Sequence, residues 1–445
     1  MGGPPWGKTR LRVRHTVAAL ALGAAAGCAV VVPVATCEPL PAHSARPRSL
    51  GALAGGVASD SATASAGAVM ADAVPQRDVF DVLQERLFHR RIPPEIGGTL
   101  PTGISWTMLP SLSYNPVYGF AFGASFSGAG RLGRAPDSKP SSLSIAANYS
   151  TTGQLQAQFR GDVYAMQDNY LAKIDIRYLD TSRSTWGIGP LSEDQQEYPM
   201  QFKLARWYAT LYRRVKGPVY VGLGFHYDDY MDIVDERAVA GESTPFTQYS
   251  GGAPTRTRSS GVSLNLLAET RDNLVNPSSG YYLSATFRDY LGALGSDEDW
   301  QEYWAETRLY PHFPAHSPNV LAFWIYTWFT FGPGPYLALP SIGWDTYGRG
   351  GRGYLQGRIR GQNQIYLETE YRLQLRRDGL LGAVGFLNAT VTTNPDTGTF
   401  ARGDKGGGAG LRVKFNKRSN TNLAIDRAWG EAGSKGWFFG LTEVF

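Results

Sequence analysis

The 445-residue chain predicts an all-β protein, a 16-stranded antiparallel transmembrane β-barrel, and three observations carry that expectation. Composition comes first: 53 glycines, 24 tyrosines, 20 phenylalanines and 11 tryptophans, against 18% charged residues. From Ile104 to the end, apolar residues then recur with a period of two, in runs of about ten residues separated by turn signals. Finally, the connections between the later runs tend to alternate short and long.

Long helices would draw more heavily on Ala, Leu, Glu and Lys, and no heptads are present. The formal charge of +5 is modest for this length and does not by itself argue for a nucleic-acid partner.

Residues 1–37 read as a signal peptide. "KTRLRVRH" (Lys8 to His15) supplies the positive region and "TVAALALGAAAGCAVVVPVA" (Thr16 to Ala35) the apolar one. The stretch is long enough to pass for a membrane helix, but its small residues and the Pro/Ala/Ser tract behind it favour export. "AAGC" ending at Cys28 faintly resembles a lipoprotein box, with Ala25 where Leu is usual. Cys28 and Cys37 are the two cysteines of the chain, so a disulfide framework does not hold the residues beyond Cys37.

Residues 38–77 contain Ala, Ser, Gly and Pro without a large apolar run and read as a disordered linker. Residues 78–100 read as a short periplasmic helix and lead-in. In "DVFDVLQERLFHRR" (Asp78 to Arg91), Val79, Val82, Leu83 and Leu87 recur at helical spacing behind Asp78 as N-cap; the simplest role is a helix resting on the neighbouring domain.

Residues 101–445 form the barrel region. Sixteen strands are expected: Ile104–Asn115, Gly119–Ala129, Ser141–Ser150, Leu155–Met166, Tyr170–Leu179, Gln201–Val215, Val219–Tyr230, Gly261–Asp272, Tyr281–Tyr290, Gln301–Phe313, Asn319–Phe331, Ile365–Leu375, Leu380–Val391, Gly407–Phe415, Thr421–Gly430 and Trp437–Phe445. In "IYLETEYRLQL", Ile365, Leu367, Tyr371, Leu373 and Leu375 oppose Glu368, Glu370, Arg372 and Gln374. "GVSLNLLAETRD" and "QEYWAETRLY" alternate in the same way. Alternation alone fits a soluble sandwich equally well. Strand number and length favour a membrane barrel, because strands of roughly 9–11 residues cross a bilayer. Connection lengths agree: "KGP", "NLVNPSSG", "RRDG" and "NKRSN" are short, whereas the segment from Gly332 to Gln364 is long. The terminal "GWFFGLTEVF", with Phe439, Leu441 and Phe445 expected on one face, suits pairing with the first strand to close the sheet.

Four stretches resemble the BamA/TamA-type bacterial surface-antigen barrels of the outer-membrane assembly-factor superfamily. They are "TRDNLVNPSSGYYLSATF" (Thr270 to Phe287), "RGYLQGRIRGQNQIYLETEYR" (Arg352 to Arg372), "GGGAGLRVKF" (Gly406 to Phe415) and the terminal aromatic strand. "LPSLSYNPVYGFAFGASF" and "TWGIG" resemble shorter members without large periplasmic arms. The resemblance implies that the long sixth loop folds back into the lumen. There the Arg of an Arg-Gly-aromatic motif, here Arg352, Gly353 and Tyr354, meets acidic groups on the wall. Glu368 and Glu370 are the expected partners. Gly351 stands where the family usually has an aliphatic residue, and Asn388 where an Asp is often found; Asn388 can accept a hydrogen bond but supplies no charge.

Other readings of the same residues are weaker. "GRGGRGYLQGRIRG" is a single copy flanked by strands, unlike a repeated RNA-binding box, and it leads into a strand where a phosphate cradle needs a helix. "RGD" at Arg402 to Asp404 fits a polar outer loop. "FHYDDY" (Phe225 to Tyr230), with His226 beside Asp228 and Asp229, is the best acid–base grouping, but no nucleophile elbow or zinc-protease motif accompanies it, so no enzyme is expected. The aromatics of "LAFWIYTWF" and "LARWYATLY" read as interfacial girdle residues in preference to sugar-stacking platforms. The expectation is therefore an outer-membrane barrel without cofactor or metal. Its partners are the lipid bilayer and a periplasmic or client protein, and its role is insertion or translocation of proteins. The alternative is a passive pore or a membrane anchor for a separately encoded partner.

Overall fold

A computed structural model of the chain describes residues 76–88, 103–115, 119–132, 138–190, 196–346, 348–401, 403–417, 420–440 and 443–445. The expected signal peptide, nearly all of the linker, Arg402 and Leu441 lie outside these residues.

Among the described residues, one helix, α1 (Val79–Phe88), precedes the strands. These are β1 (Gly103–Asn115), β2 (Gly119–Arg131), β3 (Ser141–Ser150), β4 (Leu155–Ala165), β5 (Tyr170–Thr185), β6 (Tyr198–Lys216), β7 (Val219–Asp235), β8 (Thr257–Glu269), β9 (Tyr281–Tyr290), β10 (Trp300–Leu309), β11 (Val320–Phe331), β12 (Asn363–Gln374), β13 (Leu381–Thr392), β14 (Asp404–Asn416), β15 (Thr421–Gly430) and β16 (Lys435–Gly440). All belong to one sheet in sequence order, each paired antiparallel with the next, as in an up-and-down barrel. The curl of the sheet brings β1 and β16 beside each other, although no ladder joins them among the described residues.

Burial decides between the two readings that alternation left open. Leu223, Leu264, Leu367, Leu387 and Leu411 are exposed on the outer row of their strands. Their inward neighbours, among them Asn265, Glu302, Glu306, Glu368, Glu370, Arg412 and Asp426, are buried. Apolar outside and polar inside is the pattern of a barrel whose solvent is lipid, and the reverse of a sandwich core.

Two expectations change. Trp324 of "LAFWIYTWF" is buried on the lumen side, where its indole Nε1 donates to Glu306 at 3.1 Å, so it is not a girdle residue. Among the described residues the terminal strand covers Lys435–Gly440, residues 443–445 are not strand, and Phe445 does not share a face with Phe439. Phe439 is exposed, whereas Phe445 is buried between Trp324 and Tyr310 inside the barrel. The tail turns inward because polar groups there capture it: Arg372 donates to the Phe445 main-chain oxygen at 2.7 Å, and Glu443 accepts from Arg412 (2.7 Å) and Asn422 (2.8 Å).

The long outer connections also fold inward. Between β7 and β8 lie α2 (Glu236–Val239) and α3 (Pro245–Ser250). Phe246 of α3 packs edge-on against Tyr336, in the connection from β11 to β12, and the Tyr249 hydroxyl donates to the Gly334 carbonyl at 2.8 Å. Together with Met200, Phe202, Tyr230 and Trp300, these residues form an apolar cap at the long-loop end.

Candidate functional site in the barrel lumen

Loop six connects β11 to β12. A pair of bridging contacts makes its base a narrow hairpin: Ile342 N–H donates to the Ile359 carbonyl at 2.9 Å and Gly357 N–H to the Ile342 carbonyl at 3.0 Å. The path then needs a residue at positive φ in tight quarters. Gly353 has φ +109°, and a Cβ there would lie 2.7 Å from the Trp429 carbonyl oxygen, so only glycine fits.

This turn aims Arg352 at the wall. Its guanidinium is buried and donates to Glu368 (Nε, 3.1 Å), to Glu370, and to Asp426 on β15 (Nη1, 2.7 Å). The same guanidinium carbon stands 3.5 Å from the ring centroid of Phe386 on β13. Burial opposes the charge, but Glu368, Glu370 and Asp426 outweigh it and keep Arg352 protonated. The acids are shared onward. Arg372 donates to Glu370 at 2.6 Å, and Arg412 to Asp426 at 2.5 Å and to Glu443 at 2.7 Å. A chain of alternating charges therefore runs from loop six through β12, β14 and β15 to the tail. Desolvating so many charges is costly, and the arrangement holds only because nearly every charge has a partner of opposite sign.

Asn388 plays a different part from the one expected. Its Nδ2 donates to the Arg352 carbonyl at 2.9 Å, so it holds the main chain of the motif and not the guanidinium. The missing negative charge comes from Asp426 on β15, a residue that neither alternation nor the family resemblance singles out. An acid immediately before "RAWG", turned inward by alternation, was the available signal.

Tyr354 lies flat over Gly430; a Cβ at that glycine would come within 2.7 Å of the ring. Its hydroxyl donates to the Lys405 carbonyl and accepts from Glu431 N–H at 3.0 Å. Burial pushes the phenol up to about 12, so it remains a donor at physiological pH. The glycines of "GGGAG" have a related purpose: Cβ atoms at Gly406 and Gly410 would meet the Arg352 carbonyl oxygen at 3.1 Å and Asp426 Oδ1 at 1.8 Å. A wall stripped of side chains makes room for the loop tip.

The loop also reaches the opposite wall. The Thr346 carbonyl accepts from Arg160 on β4 (2.8 Å) and Arg177 on β5 (2.5 Å). Arg349 donates to the Glu443 main-chain oxygen at 2.6 Å, which joins loop and tail directly. "FHYDDY" does not assemble an acid–base group. His226 Nε2 pairs with Ser263 Oγ at 2.7 Å, while Asp228 is engaged by Arg206 and Tyr208 and Asp229 by Arg256.

No family model and no curated protein matches the chain. Solved structures do. The crystal structure of BamA from Haemophilus ducreyi lacking POTRA domains 1–3 aligns with a TM-score of 0.51 at 16% identity, over 75% of this chain and 69% of that one. CdiB from Acinetobacter baumannii and CdiB from Escherichia coli each give a TM-score of 0.47 at 12% identity. Those two alignments cover 75% and 78% of this chain but only 58% and 62% of the respective CdiB chains. The fold is thus that of the BamA barrel.

Proposed function

We propose that this protein is a plugged outer-membrane barrel that aids insertion or translocation of other proteins, with the short β16 and its neighbour β1 as a labile seam. The observation that carries this reading is the crossing of the lumen by loop six, tied at one wall through Arg352 and at the other through Thr346. A passive pore would leave that path open. The seam fits the reading as well: β16 has six residues, against 19 in β6, and pairs with β15 alone among the described residues. Few ladder bonds hold such an edge, so it opens at lower cost than any other strand boundary. Catalysis, cofactors and metals have no part in this reading, and the partners are the bilayer and a client polypeptide.

Planar-bilayer recording tests it. The wild type should stay closed, and a variant lacking the loop-six tip should conduct. Steady open conductance in the wild type would favour the pore. Depletion in the native cell should lower the abundance of other outer-membrane proteins; an unchanged outer-membrane proteome counts against the assembly role.

A further inference from the structure

Helix α1 is docked on the barrel through its charged first turn, which leaves part of its apolar surface uncovered. Asp78 and Asp81 cap its first turn reciprocally, each accepting from the other's N–H at 3.0 Å. Those same carboxylates tie it to the turn between β14 and β15: Asp78 accepts from Lys417 N–H at 3.0 Å and Asp81 from Lys417 Nζ at 2.8 Å. The N-terminal lead adds a bond from Arg77 N–H to the Asp378 carbonyl, 3.0 Å, in the turn between β12 and β13. The acidic face therefore holds the barrel. Of the apolar residues at helical spacing, Val79 and Val82 are half-buried, whereas Leu83 (44% exposed) and Leu87 (67% exposed) are turned out together with Phe80 (44% exposed).

At 100° per residue these three lie within a stripe of about 60°. That stripe is not isolated. Phe80 meets Phe415 edge-on at 5.2 Å, and Phe415 sits at the bulge of β14, just beyond Leu411 and Val413 of the outward row. The exposed stripe thus continues the lipid-facing surface of the barrel at its short-turn end. Arg86 flanks it, exposed, and the sequence goes on to His89, Arg90 and Arg91.

We propose that α1 is an interfacial helix that inserts Phe80, Leu83 and Leu87 into the phospholipid leaflet at the short-turn end, beneath β14 and β15. Lys417 holds the helix at the height where lipid tails meet head groups. An amphipathic helix in that position buries its apolar face roughly 5–10 Å into the boundary region, with basic residues meeting anionic head groups. The consequence is an anchor next to the last strands of the sheet, which couples local bilayer packing to the part of the wall that carries Asp426 and the tail.

Site-directed spin labelling of the full chain tests this. Cys28→Ser and Cys37→Ser provide a cysteine-free background, into which Leu83→Cys, Leu87→Cys, Leu387→Cys or Asp396→Cys is placed singly. The protein is reconstituted in vesicles of phosphatidylethanolamine and phosphatidylglycerol, with folding checked by heat-modifiable gel migration. Leu387, on the outward row of β13, reports lipid; Asp396, in an exposed turn, reports water. Labels at positions 83 and 87 should match the lipid reference, with collisions from oxygen and loss of collisions from a water-soluble nickel chelate. Nickel access equal to that at position 396 overturns the proposal. Shielding from both reagents overturns it too, by showing a protein surface or a second copy over the stripe. Because the label at position 387 reads bilayer residence independently, failure of the helix proposal is distinguishable from failure of the membrane-barrel reading.

Discussion

Arg352 and Asp426, 74 residues apart in sequence, meet through a 2.7 Å charge-assisted hydrogen bond inside the barrel. That bond closes a triangle of acids around one guanidinium, because Glu368 and Glu370 approach from the opposite side. Removing the cation leaves carboxylates with only Arg372 and Arg412 to share. Breaking a buried pair from one side costs about 3–5 kcal/mol. Arg352→Ala should therefore lower the temperature at which the folded band is lost in a heat-modifiability gel and make loop six a protease target. Arg352→Lys should recover little, since an ammonium cannot reproduce a fork that serves acids on two sides. Unchanged gel behaviour and protease resistance in both variants would remove the structural argument for the lock.

Asn388→Asp reverses the usual expectation for this type of barrel. An acid there would seem to strengthen the lock, yet Asn388 donates to a carbonyl, and a carboxylate has no proton to give. The substitution should destabilise by about 1–3 kcal/mol through the repulsion and the orphaned Arg352 carbonyl. Chemical unfolding in detergent or bilayers, compared with Asp426→Asn, separates the two positions: both substitutions should weaken the protein. A stabilised Asn388→Asp would show that the guanidinium swings to position 388.

These residues also show how much the sequence could disclose. Alternation places Glu368, Glu370 and Arg372 on the inner row without any coordinates, and the turn chemistry gives the strand boundaries to within a few residues over most of the sheet. What alternation cannot give is which inner residue of β15 lies opposite which inner residue of β12 across a filled lumen. Alternation turns Asp426 inward, but it does not say that Asp426 meets Arg352. The tail misled differently: an aromatic end reads as strand, but Arg372, Arg412 and Asn422 draw Glu443 and Phe445 inward, and such tertiary capture leaves no local pattern. For α1 the spacing identified the helix but not its docking face, since a lysine contributed from a distant turn decided it.

Gly353→Ala isolates the role of backbone in the motif. The substitution keeps every charge but puts a Cβ at φ +109° and 2.7 Å from the Trp429 carbonyl oxygen. A non-glycine residue in such a conformation costs on the order of 1–3 kcal/mol before the clash is relieved. Loop-six proteolysis should rise as it does for Arg352→Ala, and closed-state conductance noise should increase. Gly385→Ala is the matched control, since nothing lies within 4 Å of its Cβ position. Equal behaviour of the two alanine variants would mean that the loop path tolerates a side chain.

Loop six and the carboxyl-side tail should act as one unit, because Arg412 bridges Asp426 to Glu443 while Arg349 reaches the Glu443 main chain. Residues in one salt-bridge network show interaction energies of about 0.5–3 kcal/mol in double-mutant cycles, whereas distant independent sites add. Arg352→Gln and Glu443→Gln form the informative pair, since their side chains are joined through shared partners, with Arg412 linking Glu443 to both Asp426 and Glu370. Unfolding of the wild type, the two single variants and the double variant should give a non-additive term of that size. The single Glu443→Gln should also raise protease cutting within loop six, although Glu443 lies outside the loop. Strict additivity, with loop-six cutting unchanged in Glu443→Gln, would mean that tail and loop are held separately and that movement of one does not reach the other.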